Sequence, residues 1–204
     1  MNIFITPKIF LDKNNSIIYS VEQNWYKYSQ KLGFNLILIP SSDVIENYFL
    51  KYKPSGLIIS GGGDIYKKKK YKTNLLRDIS EKKILNFFQK KKLPILAVCR
   101  GFQLICSLNR IRLFKIKKHV KSEHLIFFKK NYFNLNFLKI RTNSFHNYGI
   151  KKLNEKFDII GYHLDGTIEI AKKKKTKLYL MMFHPERYNF DQIKIDKIIK
   201  KIFS

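Results

Sequence analysis

Short apolar runs alternate with longer segments of helical period through the first half of the chain. Residues 2–6 open it as a strand. Residues 20–32 place apolar or aromatic side chains at 21, 25, 28 and 32, the spacing of one helical face, and Gly33 ends the pattern. The run NLILI at 35–39 predicts a buried strand closed by Pro40. Asp43 predicts the cap of a helix reaching about residue 52, and GLIIS at 56–60 predicts a third strand. A helix follows over 74–91, with Leu75, Ile79, Leu85 and Phe88 available for its inner face. PILAV at 94–98 is a fourth strand, followed by a helix over 101–108. Strands that are apolar throughout and alternate with helices imply a parallel sheet covered on both faces. Right-handed crossovers then give a doubly wound α/β fold.

The second half is more strand-like, at 125–128, 137–140, 157–164, 167–171 and 178–183. Asp165-Gly166 predicts a hairpin turn, and residues 191–203 an amphipathic helix. This half reads as a small antiparallel elaboration. No repeat or Pro/Gly/Ser-rich linker divides the chain, so one domain over 1–204 is expected. The runs Lys67–Lys70 and Lys172–Lys175 read as solvated loops.

Composition changes this picture little. Apolar residues make up 45% of the 204 positions, with 17 Phe and 12 Tyr, enough for a full core, so disorder is excluded. The net charge of +26 raises the question of nucleic acid. The 35 Lys against 6 Arg weaken that reading, since bidentate base and phosphate recognition favours Arg. Abundant Lys, Ile, Asn and Phe fit the coding bias of an AT-rich genome, so no specific nucleic-acid partner is expected. The charge still draws anionic small molecules. No run is apolar and long enough to span a membrane, and no signal peptide is evident. Two cysteines cannot build a disulfide framework, so a reducing cytoplasm is the expected compartment.

Chemistry concentrates at Cys99-Arg100-Gly101-Phe102-Gln103. An apolar strand runs straight into a Cys, with Gly two residues on and then a helix, the pattern of a nucleophile elbow. The thiol would sit at the carboxyl end of a strand and at a helix N-terminus, which favours thiolate. A buried core thiol is the alternative for Cys99, and it is the preferred reading of Cys106. Among five histidines, His184 emerges from an apolar run, with Glu186 two residues on to orient it. The loop Ser60-Gly61-Gly62-Gly63-Asp64 lacks phosphate-loop spacing, and reads as a source of backbone N–H for an oxyanion.

These segments occur in the order Ile58 to Asp64, Arg77-Asp78, Cys99 to Gln103, Asn143-Ser144-Phe145-His146-Asn147, and His184-Pro185-Glu186. The set resembles the class I glutamine amidotransferases, in the γ-glutamyl hydrolase (peptidase C26) branch, along essentially the whole chain. The resemblance implies a flavodoxin-like fold. It also implies a Cys99–His184–Glu186 triad acting through a γ-glutamyl thioester and an oxyanion hole of the Gly62 and Arg100 N–H groups. Substrate contacts implied are Gly61, Gly63, Gln103, Asn143, Ser144, Phe145 and His146. It implies no cofactor and no metal. Glu22-Gln23-Asn24-Trp25 is similar to members that hydrolyse γ-glutamyl-CDP-amidate in the assembly of phosphoramidate-modified surface polysaccharides. His119 and His124 resemble a His pair near the site in relatives, with loop histidines as the alternative.

Three functions follow. The first is a free-standing γ-glutamyl amide hydrolase acting on a small, anionic γ-glutamyl substrate. The second is a glutaminase passing ammonia to a synthase partner. The third is a basic scaffold for nucleic acid or anionic membrane, which a steep salt dependence of binding would mark. Self-association into a homo-oligomer is compatible with each.

Overall fold

The structure is a computed structural model describing residues 1–65, 72–129 and 132–204. The run Lys67–Lys70 lies outside the described residues.

The chain opens with β1 (Asn2–Ile5), then a hairpin of β2 (Lys8–Leu11) and β3 (Ile17–Ser20), and α1 (Gln23–Leu32). Next come β4 (Asn35–Leu38), α2 (Ile45–Tyr52), β5 (Gly56–Ile59), α3 (Lys72–Lys90), β6 (Ile95–Val98) and α4 (Arg100–Leu108). The second half holds β7 (Phe114–Lys115), β8 (Val120–Phe128), β9 (Lys139–Phe145), β10 (Tyr148–Gly149), β11 (Phe157–His163), β12 (Ile168–Lys173), β13 (Leu178–Met181) and α5 (Gln192–Phe203). Among the described residues, nine strands form one sheet in the order β4-β1-β5-β6-β13-β12-β11-β8-β9. The first five are mutually parallel, and β12, β11, β8 and β9 extend the sheet antiparallel.

Both faces of the parallel part are covered. On one face Trp25, Tyr28 and Leu32 of α1 and Ile195, Ile198, Ile199 and Ile202 of α5 pack with Ile3, Ile5, Leu96 and Val98. On the other, Ile84, Leu85 and Phe88 of α3 and Phe102, Ile105 and Cys106 of α4 pack with Phe4, Leu57, Ile59 and Ala97. Alternation along each strand sends neighbouring side chains to opposite helical layers, which is why these strands are apolar in unbroken runs. The expected doubly wound sheet is present. Among the described residues no helix is long and apolar enough to cross a membrane.

Several local expectations are corrected. The sequence pattern starts a helix at 20 and gives no sign of the hairpin of β2 and β3. Asp12 builds its turn, its carboxylate accepting from the Asn14 and Ser16 amides at 2.9 and 2.8 Å. Ser41, not Asp43, caps the turn before α2, accepting from the Asp43 amide at 3.2 Å. The inner face of α3 carries Arg77 and Glu81 in place of Leu75 and Ile79, which are exposed. Both β8 and β9 are longer than expected, because polar His124, Thr142, Asn143 and Ser144 are buried strand residues. Lys172 and Lys173 belong to β12, with the Lys172 ammonium over the Tyr132 and Tyr179 rings.

Candidate active site

Strand β6 delivers Cys99 to the end of the sheet, and α4 begins at the next residue. Cys99 has φ 48° and ψ −98°, a strained conformation for a residue with a Cβ. It is held there by its amide donating to the Met181 carbonyl at 2.7 Å and by its carbonyl accepting from the Gln103 amide at 3.0 Å. Gly101 permits the turn, since a Cβ on it would lie 2.5 Å from the Ile59 carbonyl oxygen.

Strand β13 runs parallel to β6 with Met181 opposite Val98, so the chain beyond β13 brings His184 to the same end of the sheet. His184 Nδ1 donates to Glu186 Oε1 at 2.6 Å, and the Cys99 sulfur lies near enough to the ring to act on its pKa. Burial alone would push the imidazole pKa down. The Glu186 charge and the Cys99 sulfur outweigh burial and raise it from 6.5 to about 10. At neutral pH the arrangement therefore favours an imidazolium, a proton donor held beside the Cys99 sulfur. The proton bound in the folded state stabilises the fold fully below pH 6.5, and that contribution is lost as pH rises through about 10. Chemical denaturation between about pH 6.5 and about pH 10 is expected to show stability falling with pH, and Glu186→Gln is expected to flatten the fall. A wild-type profile flat over this range would contradict the pairing.

Asn143 of β9 fixes the loop that carries His184. Its Oδ1 accepts from the His184 amide at 2.9 Å, and its Nδ2 donates to the His184 and Tyr188 carbonyls at 2.7 and 3.0 Å. Gly61 lies against the His184 ring, where a Cβ would come within 2.6 Å of Cε1. Arg77 holds the glycine loop from the other side, donating to the Ser60, Gly61 and Gly62 carbonyls at 2.9, 3.2 and 2.7 Å. With the Gly61 carbonyl turned toward Arg77, the planar trans peptide directs the Gly62 N–H away from it. The Arg100 amide, first in α4, has no partner within its own helix. The Arg100 side chain turns to Glu81 and Asp78. Glu81, fully buried, also accepts from Arg77 Nε at 2.9 Å and Thr6 Oγ1 at 2.8 Å.

The remaining candidates occupy different surroundings. Gln103 is buried and donates to the Tyr148 carbonyl at 3.4 Å. Ser144 is buried and donates to the His119 carbonyl at 2.7 Å. Phe145 meets the His184 ring edge-on, with the Arg187 guanidinium 4.6 Å above its centre. Gly63, with φ 75°, borders an outer cavity lined by Lys8, Phe10 and Asp64. His146 lies in a buried cluster with His119, His124 and Glu169, so neither His119 nor His124 is a loop histidine in water.

A cavity of about 220 Å3 beside the glycine loop is lined by Lys8, Glu22, Trp25, Gly61, Gly62 and Glu186. The hairpin of β2 and β3 forms one wall of it. Arg187 Nη2 donates to Glu22 Oε1 at 2.5 Å beside it, and the pair holds Glu22 below the usual carboxylate range despite burial. Sequence reasoning missed Glu81, Glu169 and the Glu22–Arg187 pair. The i,i+4 spacing of Arg77 and Glu81, and a lone Glu169 inside the apolar run from Ile168 to Ala171, were the available signals.

A model of the family Peptidase C26 matches residues 12–186. The γ-glutamyl-CDP-amidate hydrolase of Campylobacter jejuni subsp. jejuni serotype O:2 is 32% identical over 170 residues, covering 81% of this chain and 80% of the relative. A subunit of the glutamine-hydrolysing GMP synthase of Methanocaldococcus jannaschii is 23% identical, covering 87% of each chain. Among solved structures, a Thermoplasma acidophilum protein superposes with a TM-score of 0.74 at 17% identity, covering all of this chain and 92% of the other. A glutamine amidotransferase from Thermotoga maritima gives a TM-score of 0.64 at 12% identity, covering 91% and 76%.

Proposed function

The chain belongs to the peptidase C26 family, and from that premise we propose that it hydrolyses the γ-glutamyl amide bond of γ-glutamyl-CDP-amidate through a thioester on Cys99. The observation that carries the reading is the strained Cys99 at the end of β6 beside a His184 that Glu186 keeps protonated. The thiolate adds to the γ-carbonyl carbon. The Gly62 and Arg100 amides receive the resulting oxyanion, each such donor being worth roughly 3–4 kcal/mol when removed. Collapse breaks the C–N bond as the imidazolium gives its proton to the leaving nitrogen. The neutral imidazole then takes a proton from water, hydroxide adds to the thioester, and glutamate leaves as the thiolate re-forms. Asn143 acts as a positioning residue, since its side chain is occupied in holding the His184 loop.

The choice of substrate rests on the identity to the C. jejuni hydrolase and on charge. Lys8 lines the cavity beside the glycine loop together with Glu22 and Glu186, and Arg187 pairs with Glu22, so the attraction for an anion rests on the +26 that the chain carries overall. A nucleotidyl amidate is an anion, whereas glutamine is a zwitterion with no net charge, so this field favours the former. Glutamate release from γ-glutamyl-CDP-amidate, glutamine and an uncharged γ-glutamyl amine, measured over a range of salt, tests it. The amidate is expected to have a kcat/KM orders of magnitude higher, with the advantage shrinking as salt rises. A better rate with glutamine at every salt concentration would reject the substrate and leave the hydrolase.

The similarity to the M. jannaschii GMP synthase subunit supports a second reading, a glutaminase that serves a synthase partner. It predicts negligible turnover of all three compounds by the isolated protein.

A further inference from the structure

His119, His124, His146 and Glu169 are buried together at the junction of β8, β9 and β12, and one donor atom from each lies within 4.8 Å of the others. The tautomers of two of the imidazoles are set from outside. His119 Nε2 donates to Asp165 Oδ2 at 2.8 Å, and His146 Nδ1 donates to the Tyr148 carbonyl at 3.1 Å. Each ring thus has one nitrogen engaged outside the cluster and the other turned into it. His119 Nδ1, His146 Nε2 and both nitrogens of His124 have no hydrogen-bond partner among the described residues, and neither has Glu169 Oε2. Glu169 Oε1 stands 3.3 Å from His124 Nδ1 and 3.7 Å from His146 Nε2, and Glu169 is fully buried. Buried polar atoms left without partners cost roughly 1–3 kcal/mol each. A cation at their centre would give each of these atoms a partner.

We propose that His119, His124, His146 and Glu169 bind one zinc-class divalent ion as a closed, structural site. Three imidazoles and a carboxylate suit zinc, and outer acceptors on two of the rings are the usual support for metal-bound histidine. Four protein donors in a buried pocket leave no position for substrate. The ion ties the start of β8 to the end of β9 and to β12. Strand β9 also carries Asn143, so the ion braces the loop that holds His184. The site does not depend on which γ-glutamyl compound is hydrolysed.

The test uses the full chain, stripped with a chelator and titrated with Zn2+ and, as a spectroscopic stand-in, Co2+. One ion per chain, a raised Tm, and visible cobalt bands of tetrahedral intensity without a thiolate charge-transfer band are expected. His124→Gln and Glu169→Gln are expected to lose binding. Asp165→Asn, at a half-exposed turn, is expected to weaken it roughly 10–100-fold. Failure of the wild type to bind either ion overturns the proposal, as does unchanged affinity in all three variants. If the core variants do not fold, the wild-type cobalt spectrum decides, because a thiolate band would place the ion on Cys99 instead.

Discussion

Cys99→Ala is expected to fold and to lose roughly five to six orders of magnitude in kcat, the scale seen when a covalent nucleophile is removed. The loss falls on the chemical step alone, because no other described thiol reaches a strand end. Cys106 is fully buried among α4, β5 and β6, and burial pushes its thiol pKa up, away from the reactive thiolate. Cys106→Ala is therefore expected to keep kcat and lower Tm. Iodoacetamide at neutral pH should block one thiol per folded chain and abolish activity in step. His184→Asn should approach the Cys99→Ala loss, and Glu186→Gln should retain a measurable remainder, since triad members are unequal. Turnover by Cys99→Ala at more than a few per cent of wild type would remove Cys99 from the mechanism.

Glu81→Ala is expected to destabilise the fold by about 3–5 kcal/mol, the cost of leaving buried charge without its partner. Glu81 accepts from Arg77 and Thr6 and pairs with Arg100, so its loss strips both buried guanidiniums of an anion at once. Burial already pulls the Arg77 pKa down to about 10, which marks how poorly solvated that charge is. Activity should fall with stability, because Arg77 also holds the carbonyls of Ser60, Gly61 and Gly62. Urea denaturation measures the first effect and kcat the second. A loss under about 1 kcal/mol would mean that water enters the network freely.

The apolar strands β1, β4, β5 and β6 were legible because burial on both faces leaves an unbroken apolar run. The backbone of the elbow was legible because an apolar strand runs straight into Cys99, with Gly101 two residues on and a helix behind it. The hairpin of β2 and β3 escaped because its side chains are largely exposed and carry no face-specific pattern. Buried charge hid the inner face of α3, since Arg77 and Glu81 break its apolar pattern and their partners, Thr6, the glycine loop and Arg100, lie far off in sequence. The polar start of β8 and the polar end of β9 failed for the same reason. His119, His124, His146 and Glu169 satisfy a pattern strung over about fifty residues, which no local period can display.

The pairing of Leu178 with Ile95 and of Met181 with Val98 also sets when the site can exist. Cys99 follows β6, but His184, its proposed partner, arrives only after the whole segment from β7 to β12 has been synthesised and folded back. Such a contact closes late, as long-range pairings do. Until it closes, the thiol of a nascent or partly folded chain keeps the modest reactivity of any cysteine. Reactivity toward a γ-glutamyl probe would therefore report completed folding, and a chain truncated before β13 would be inert toward it.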